Sequence, residues 1–220
     1  MAVVCVVALA GGTVAWQLGG ARGAPGDTLA TVNGQEITRG EFDLQVDVFK
    51  SQFEAQGQEI EPEMLSQIHQ QVFQTLITVE VVVQEAEKQD IQVSEEEIDE
   101  ELAELAEFSG GKEQLEAQLA ERGLTIDDHR KWIRNNLLIE YFVEDYLEGE
   151  LSDEDLEVTA DELEARYDQY KEMTEDPEPL EDIREQLELQ IQEERRNQAV
   201  QGKIQALMEE ADIEILQPVN

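Results

Sequence analysis

Apolar and polar positions alternate with period two only near the ends of the described pattern, and recur at helical spacing nearly everywhere between. Leu29-Ala-Thr-Val-Asn-Gly-Gln-Glu-Ile-Thr38 predicts a short strand, a tight turn and a helix start. Ala211-Asp-Ile-Glu-Ile-Leu216 alternates as a single strand does. A lone strand leaves its backbone donors and acceptors unpaired, so the two strands are expected to pair with each other. Between them, Phe42, Val46, Phe49 and Phe53 share one helix face. A longer helix after Pro62 carries Leu65, Ile68, Val72, Leu76, Val79, Val83 and Ala86 in line. Its β-branched middle, Leu76 to Val83, mimics a strand, but the unbroken period on both sides predicts a central helix.

Two shorter helices are predicted near 95–107 and 112–122, then a long one near 126–148 bearing Trp132, Ile133, Leu137, Tyr141, Phe142 and Tyr146. A hinge at 149–158 precedes a short helix with Leu163, Tyr167 and Tyr170, and residues 173–179 form a linker. The last long helix places Leu180, Ile183, Leu187 and Ile191 on one stripe, with Ile204 and Leu207 further on. Glu193 to Gln198 is polar nearly all round and is expected to bridge open space between two packed ends. Ser/Thr followed three residues later by Asp/Glu marks helix starts at Thr38/Glu41, Ser94/Glu97, Thr125/Asp128, Ser152/Asp155 and Thr159/Glu162. Gly57, Gly110-Gly111, Gly123 and Gly149 mark stops.

The start of the chain reads differently. Ala2 to Leu18 carries no charge, and a Gly-rich break follows to residue 26. As a helix that run spans roughly 26 Å, near the lower limit for a bilayer, and it also has the small-residue exit of a secretory signal. Residues 1–26 are therefore expected to be a signal peptide or membrane anchor with a linker, which places the body outside the cytoplasm. That body is 27–216, with a main lobe at 27–150 and helices plus closing strand at 159–216, and 217–220 is a tail. Cys5 is the only cysteine, so no intrachain disulfide and no cysteine metal cluster can form.

Charge narrows the partners. With 53 acidic against 15 basic residues the net charge is -38, which repels nucleic acid and anionic lipid. Scarce Lys beside abundant Glu fits adaptation to high salt, where screening relaxes self-repulsion. Aromatics are only 5% of the chain, so the core must be largely aliphatic. His69 and His129 stand on separate helices without a ligand motif and are expected at the surface or its boundary. The acidic runs at 95–101 and 153–157 lack the glycine and alternating ligands of a calcium loop and read as solvated faces. There is no glycine-rich phosphate loop and no serine elbow. No catalytic residue, metal or cofactor is therefore expected.

Ala30 to Phe42, Glu80-Val-Val-Val-Gln-Glu-Ala-Glu-Lys-Gln-Asp-Ile91, Val93-Ser-Glu-Glu-Glu-Ile98, Gly123-Leu-Thr-Ile-Asp-Asp-His-Arg130, Val158 to Tyr167 and Ala211 to Leu216 occur in that order. In this order of motifs the chain resembles the chaperone domain of SurA/PrsA-type extracytoplasmic folding factors. In many such proteins a parvulin prolyl isomerase domain separates the tyrosine-bearing helix from the last long helix. Here that interval shrinks to Lys171–Leu180, too short for a domain. The resemblance implies a mostly α protein, a helical chaperone domain with a small sheet pairing N- and C-terminal strands. It also implies an exported holdase that is not an enzyme, works without ATP, and binds unfolded or non-native polypeptides. A chaperone of this type needs an apolar groove, for which Phe42, Phe49, Phe53, Trp132, Tyr141 and Tyr146 are the candidate lining, each of them equally readable as core. The alternative is a membrane-anchored scaffold whose helices bind one dedicated partner.

Overall fold

The computed structural model describes residues 27–55, 60–121, 123–152 and 154–219. The expected signal or anchor at 1–26, Cys5 and the stop at Gly57 lie outside the described residues. Among those described, the order is β1 (Thr28–Val32), β2 (Gln35–Thr38), α1 (Arg39–Ala55), α2 (Pro62–Lys88), α3 (Glu95–Phe108), α4 (Lys112–Glu121), α5 (Ile126–Glu150), α6 (Ala160–Met173), α7 (Leu180–Glu210) and β3 (Ile213–Ile215). The protein is mostly α with one small antiparallel sheet, and the β-branched run 76–83 is helical within α2. The chain divides into two compact units, one comprising residues 27–142 and 206–219, the other 143–205. The division runs through α5 and α7 rather than through the segment 149–158.

In the first unit the sheet order is β2-β1-β3. β1 does pair with β3, in the register Val32↔Ile213 and Ala30↔Ile215. The second strand, β2, is a correction to the sequence reading, which runs straight from the turn into a helix. Asn33 at φ 50 and Gly34 at φ 85 put both turn residues in the left-handed region. A two-residue loop of that kind matches strand twist and folds Gln35–Thr38 back on β1. Thr38 then ends β2 and caps α1: its hydroxyl accepts from the Glu41 N–H while its own N–H donates to the Glu41 carboxylate.

Leu29, Ala30, Val32 and Ile37 of the sheet are wholly buried, as are Leu76 and Ala86 of α2. Gln84 of α2 donates to the Val32 carbonyl, which ties helix to sheet. Leu115, Leu119 and Leu124 form a second cluster with Leu44, Leu102, Leu105 and Ile126, so the α3–α4 hairpin is held to α1 and the start of α5. The Ser94 and Thr125 boxes form as expected. Gly110 and Gly123 take positive φ at the ends of α3 and α4.

In the second unit Leu163, Ile183 and Leu187 pack with Val158, Tyr167, Tyr170 and Leu180, and the Thr159 box opens α6. The Ser152/Asp155 box also forms, but it caps a single turn rather than a helix. Gly149 does not stop α5, which continues to Glu150. The polar stretch of α7 does not cross open space. Arg195 donates to the carbonyls of Asp155 and Glu157 at 2.8 and 2.9 Å and pairs with Glu162, while Gln192 donates to the Leu156 carbonyl. Its polar residues face a turn whose backbone carbonyls need donors, a need that periodicity does not display. α6 and α7 are joined by residues 174–179, with no domain between them. Among the described residues no helix is long and apolar enough to cross a membrane.

Candidate functional site

The six aromatic candidates fall into three environments. Phe42, on the first turn of α1, is 3% exposed. It meets the rings of His69 and Phe73 on α2 edge-on, at 5.5 and 6.3 Å. It is core: it fixes α1 on α2 and offers no surface to a partner. Two turns on, Phe49 and Phe53 are half-buried and stacked on each other at 5.6 Å. Four-residue spacing brings their rings together along one face, and the pair keeps a part of each ring open to solvent.

On α5, Trp132 and Tyr141 are half-buried. Trp132 stacks on His129 at 5.0 Å. The Tyr141 hydroxyl donates to Glu97 of α3. The Glu97 carboxyl is drawn from its ordinary 4.5 to about 2, first by the Ser94 hydroxyl, then by Tyr141 and the Ser94 backbone. Tyr141 is therefore held by its polar end, a rigid amphipathic ring rather than a loose one. Tyr146 belongs to the other unit, where the ammonium of Lys203 lies 5.8 Å from its ring centre. The structure thus brings Phe49 to Phe53, and places Trp132 and Tyr141 in the same unit, but assigns Tyr146 elsewhere.

Two polar residues escape the sequence reading. His129 is buried, 3% exposed, and not at the surface. The Trp132 ring stacks on it, and neither ring nitrogen has a hydrogen-bond partner among the described residues. Burial pushes its imidazole below the ordinary range, so it is neutral at pH 7. Its spacing of three from Trp132 is the only sequence signal for that stack. Glu80 is 4% exposed inside α2, and burial raises its carboxyl against a bond from Gln84. Its position as a lone acid within an apolar run is a signal that periodicity alone overlooks. No group of His, Cys, Asp or Glu among the described residues could hold a metal ion.

The described residues thus form a helical body closed by a terminal sheet, with aromatic side chains partly open on α1 and α5. Residues 1–143 match the model of the SurA-like N-terminal domain, and the match ends where the first unit gives way to the second. The chain belongs to this family. It is 34% identical over 152 residues to the foldase protein PrsA of Clostridium perfringens, covering 66% of this chain and 43% of that one. It is 31% identical over 112 residues to the chaperone SurA of Legionella pneumophila, covering 50% and 26%. A PrsA of Caldanaerobacter subterraneus is 28% identical over 162 residues, covering 67% and 44%. The chain thus spans less than half the length of these relatives.

Proposed function

We propose that the protein is an extracytoplasmic chaperone that holds non-native secretory or envelope polypeptides without ATP and without chemistry. Family membership carries this reading, and relatives named as a foldase and a chaperone support it. Phe49, Phe53, Trp132 and Tyr141, with Tyr146 in the second unit, are the apolar contacts proposed for clients; Phe42 positions α1. Apolar rings give affinity without sequence selectivity, because burial of apolar area is non-directional. The surrounding negative charge keeps such a surface soluble and favours basic clients. Residues 1–26 are proposed to direct or anchor the protein outside the cytoplasm, and the acidity to suit a saline medium.

The test is light scattering of several unrelated, thermally aggregating proteins with increasing amounts of this one, at low and at multimolar salt. Suppression of all of them near equimolar ratio supports a general chaperone. A folded, helical protein that suppresses none, and instead saturates with one partner, is a dedicated scaffold.

A further inference from the structure

β2 and β3 are the two edge strands of the sheet among the described residues, and β3 is the one whose exposed apolar side chains mark a binding edge. β3 pairs with β1 on one side only, because the order is β2-β1-β3. Its hydrogen-bonding parity is fixed at both ends. The Asn33 N–H donates to the Asp212 carbonyl, and the Leu216 N–H donates to the Leu29 carbonyl. Even-numbered residues therefore face β1, and the N–H and C=O groups of Ile213 and Ile215 point away from the sheet. Side chains alternate likewise. Ile213 and Ile215 stand beside the buried Val32 and Ala30, on the face that forms the core. Yet Ile215 is 61% exposed, because among the described residues no strand lies beyond it. Leu216 on the opposite face is 48% exposed. The apolar side of the sheet thus ends at its last strand, next to backbone groups that pair with no strand among the described residues.

We propose that this edge is a binding site for one extended segment of a client polypeptide, added antiparallel or parallel to β3 as a further strand. Backbone pairing would supply affinity independent of sequence, and alternate apolar side chains would continue the face of Ile213 and Ile215. The charge on the site specifies the segment further. Glu210, Asp212 and Glu214 are all exposed around the strand. In a chain of net charge -38 these acids oppose pairing with a second copy of the same edge. They favour a segment whose apolar stretch is flanked by Lys or Arg. This inference rests on the chaperone reading and adds to it a place and a mode of capture.

The probe is a fluorescent peptide of alternating Val and Thr flanked by two lysines at each end, titrated into the full-length protein at low salt. Two further peptides carry backbone N-methyl groups on one or the other alternate set of residues. Saturable binding is expected, with one of the two N-methylated peptides weakened about tenfold, since only one set of N–H groups faces the edge. A glutamate-flanked peptide should not bind. Ile215→Pro removes an outward N–H and Ile215→Lys removes the apolar overhang; both should weaken binding at unchanged helicity.

Equal binding of all three lysine-flanked peptides overturns the proposal, as does a dimer that the peptide does not displace. If the edge is silent while the wild-type protein still suppresses aggregation, the capture site is wrong and the chaperone reading stands. If the protein neither suppresses aggregation nor binds peptide, both fail.

Discussion

Asn33 and Asp212, 179 residues apart, exchange two hydrogen bonds: the Asn33 N–H donates to the Asp212 carbonyl at 2.8 Å, and the Asp212 N–H donates to Asn33 Oδ1 at 2.9 Å. The same side chain donates through Nδ2 to Gln84 of α2. One residue thus makes the β1–β2 turn, starts the pairing of β3 and holds both to the central helix. Gln217 adds a second clasp at the other end of β1, accepting from Arg39 and donating to the Thr28 carbonyl. The sheet closes the unit, with polar clasps at both ends of β1 added to the burial of Leu29, Ala30, Val32 and Ile37.

Asn33→Ala is therefore expected to cost about 2 kcal/mol, from the left-handed backbone at φ 50 and the lost bond to Asp212. Asn33→Gly keeps the backbone and loses only the side-chain bonds, so it should cost about half as much. Urea unfolding of the two variants separates the contributions. Equal and negligible losses would show that the clasp does not stabilise the unit.

Glu80 gives a pH dependence of opposite sense to the capping acids. Burial raises its carboxyl above the ordinary 4.5, so the folded state prefers the protonated form. Its favourable contribution is complete below the unfolded value and is lost as pH rises through the raised one. Glu80→Gln should then raise the melting temperature at pH 7 and leave it unchanged near pH 4. A melting temperature lowered at both pH values would mean that glutamine does not replace the bond Glu80 accepts from Gln84.

The capping carboxylates of Glu97 and Glu162 are both held near 2 instead of 4.5. For Glu162 the Thr159 hydroxyl is the chief cause, ahead of the Thr159 backbone and Arg195. Depressed values stabilise the fold above the unfolded 4.5 and lose that contribution as pH falls towards 2. Glu97→Gln and Glu162→Gln should flatten the acid-unfolding curve between those limits, read as helicity against pH.

These caps were legible because they are local. A hydroxyl and a carboxylate three residues apart need nothing else, and four of the five pairs do begin a helix. The Ser152 pair has the same local geometry, yet only one turn follows it, because Gln192 and Arg195 of α7 take the carbonyls of Asp155, Leu156 and Glu157. That competition comes from about 40 positions away and leaves no periodic trace. β2 was hidden for a related reason: four mostly polar residues become a strand only because Asn33-Gly34 turns them onto β1. At the candidate site, helical spacing put Phe42, Phe49 and Phe53 on one face. It could not show that Phe73 and His69 cover the first and leave the other two partly open.

That difference makes the α1 aromatics separable by mutation. Phe42→Ala should cost about 3–5 kcal/mol of stability, as a buried ring lost from a core does. Phe49→Ser with Phe53→Ser should cost less stability than Phe42→Ala and weaken client binding about tenfold, as removal of partly open aromatic anchors does. Chemical unfolding and aggregation suppression, measured on both variants, give the two readouts. Suppression that survives the double substitution would move the apolar contact away from α1.

Salt sets two effects of opposite sign against each other. Ion pairs such as Arg130 with Glu95 and Asp99, Arg134 with Glu87, and Arg166 with Glu194 weaken as salt screens them. Exposed pairs are worth about 0–1 kcal/mol each, so that loss is small. The excess of acids, 38 charges in a chain of 220 residues, is uncompensated, and its self-repulsion grows with the square of the net charge. Repulsion should win, so the melting temperature should rise with added NaCl. The shape of the rise identifies its cause. Screening is largely complete once the Debye length has fallen to about 3 Å near 1 M, whereas exclusion of salt from apolar surface continues to act beyond that. A rise concentrated below about 0.5 M and flat thereafter would assign the effect to charge. A melting temperature that falls over the same range would show that the ion pairs outweigh the repulsion, and that the acidity is not an adaptation to salt.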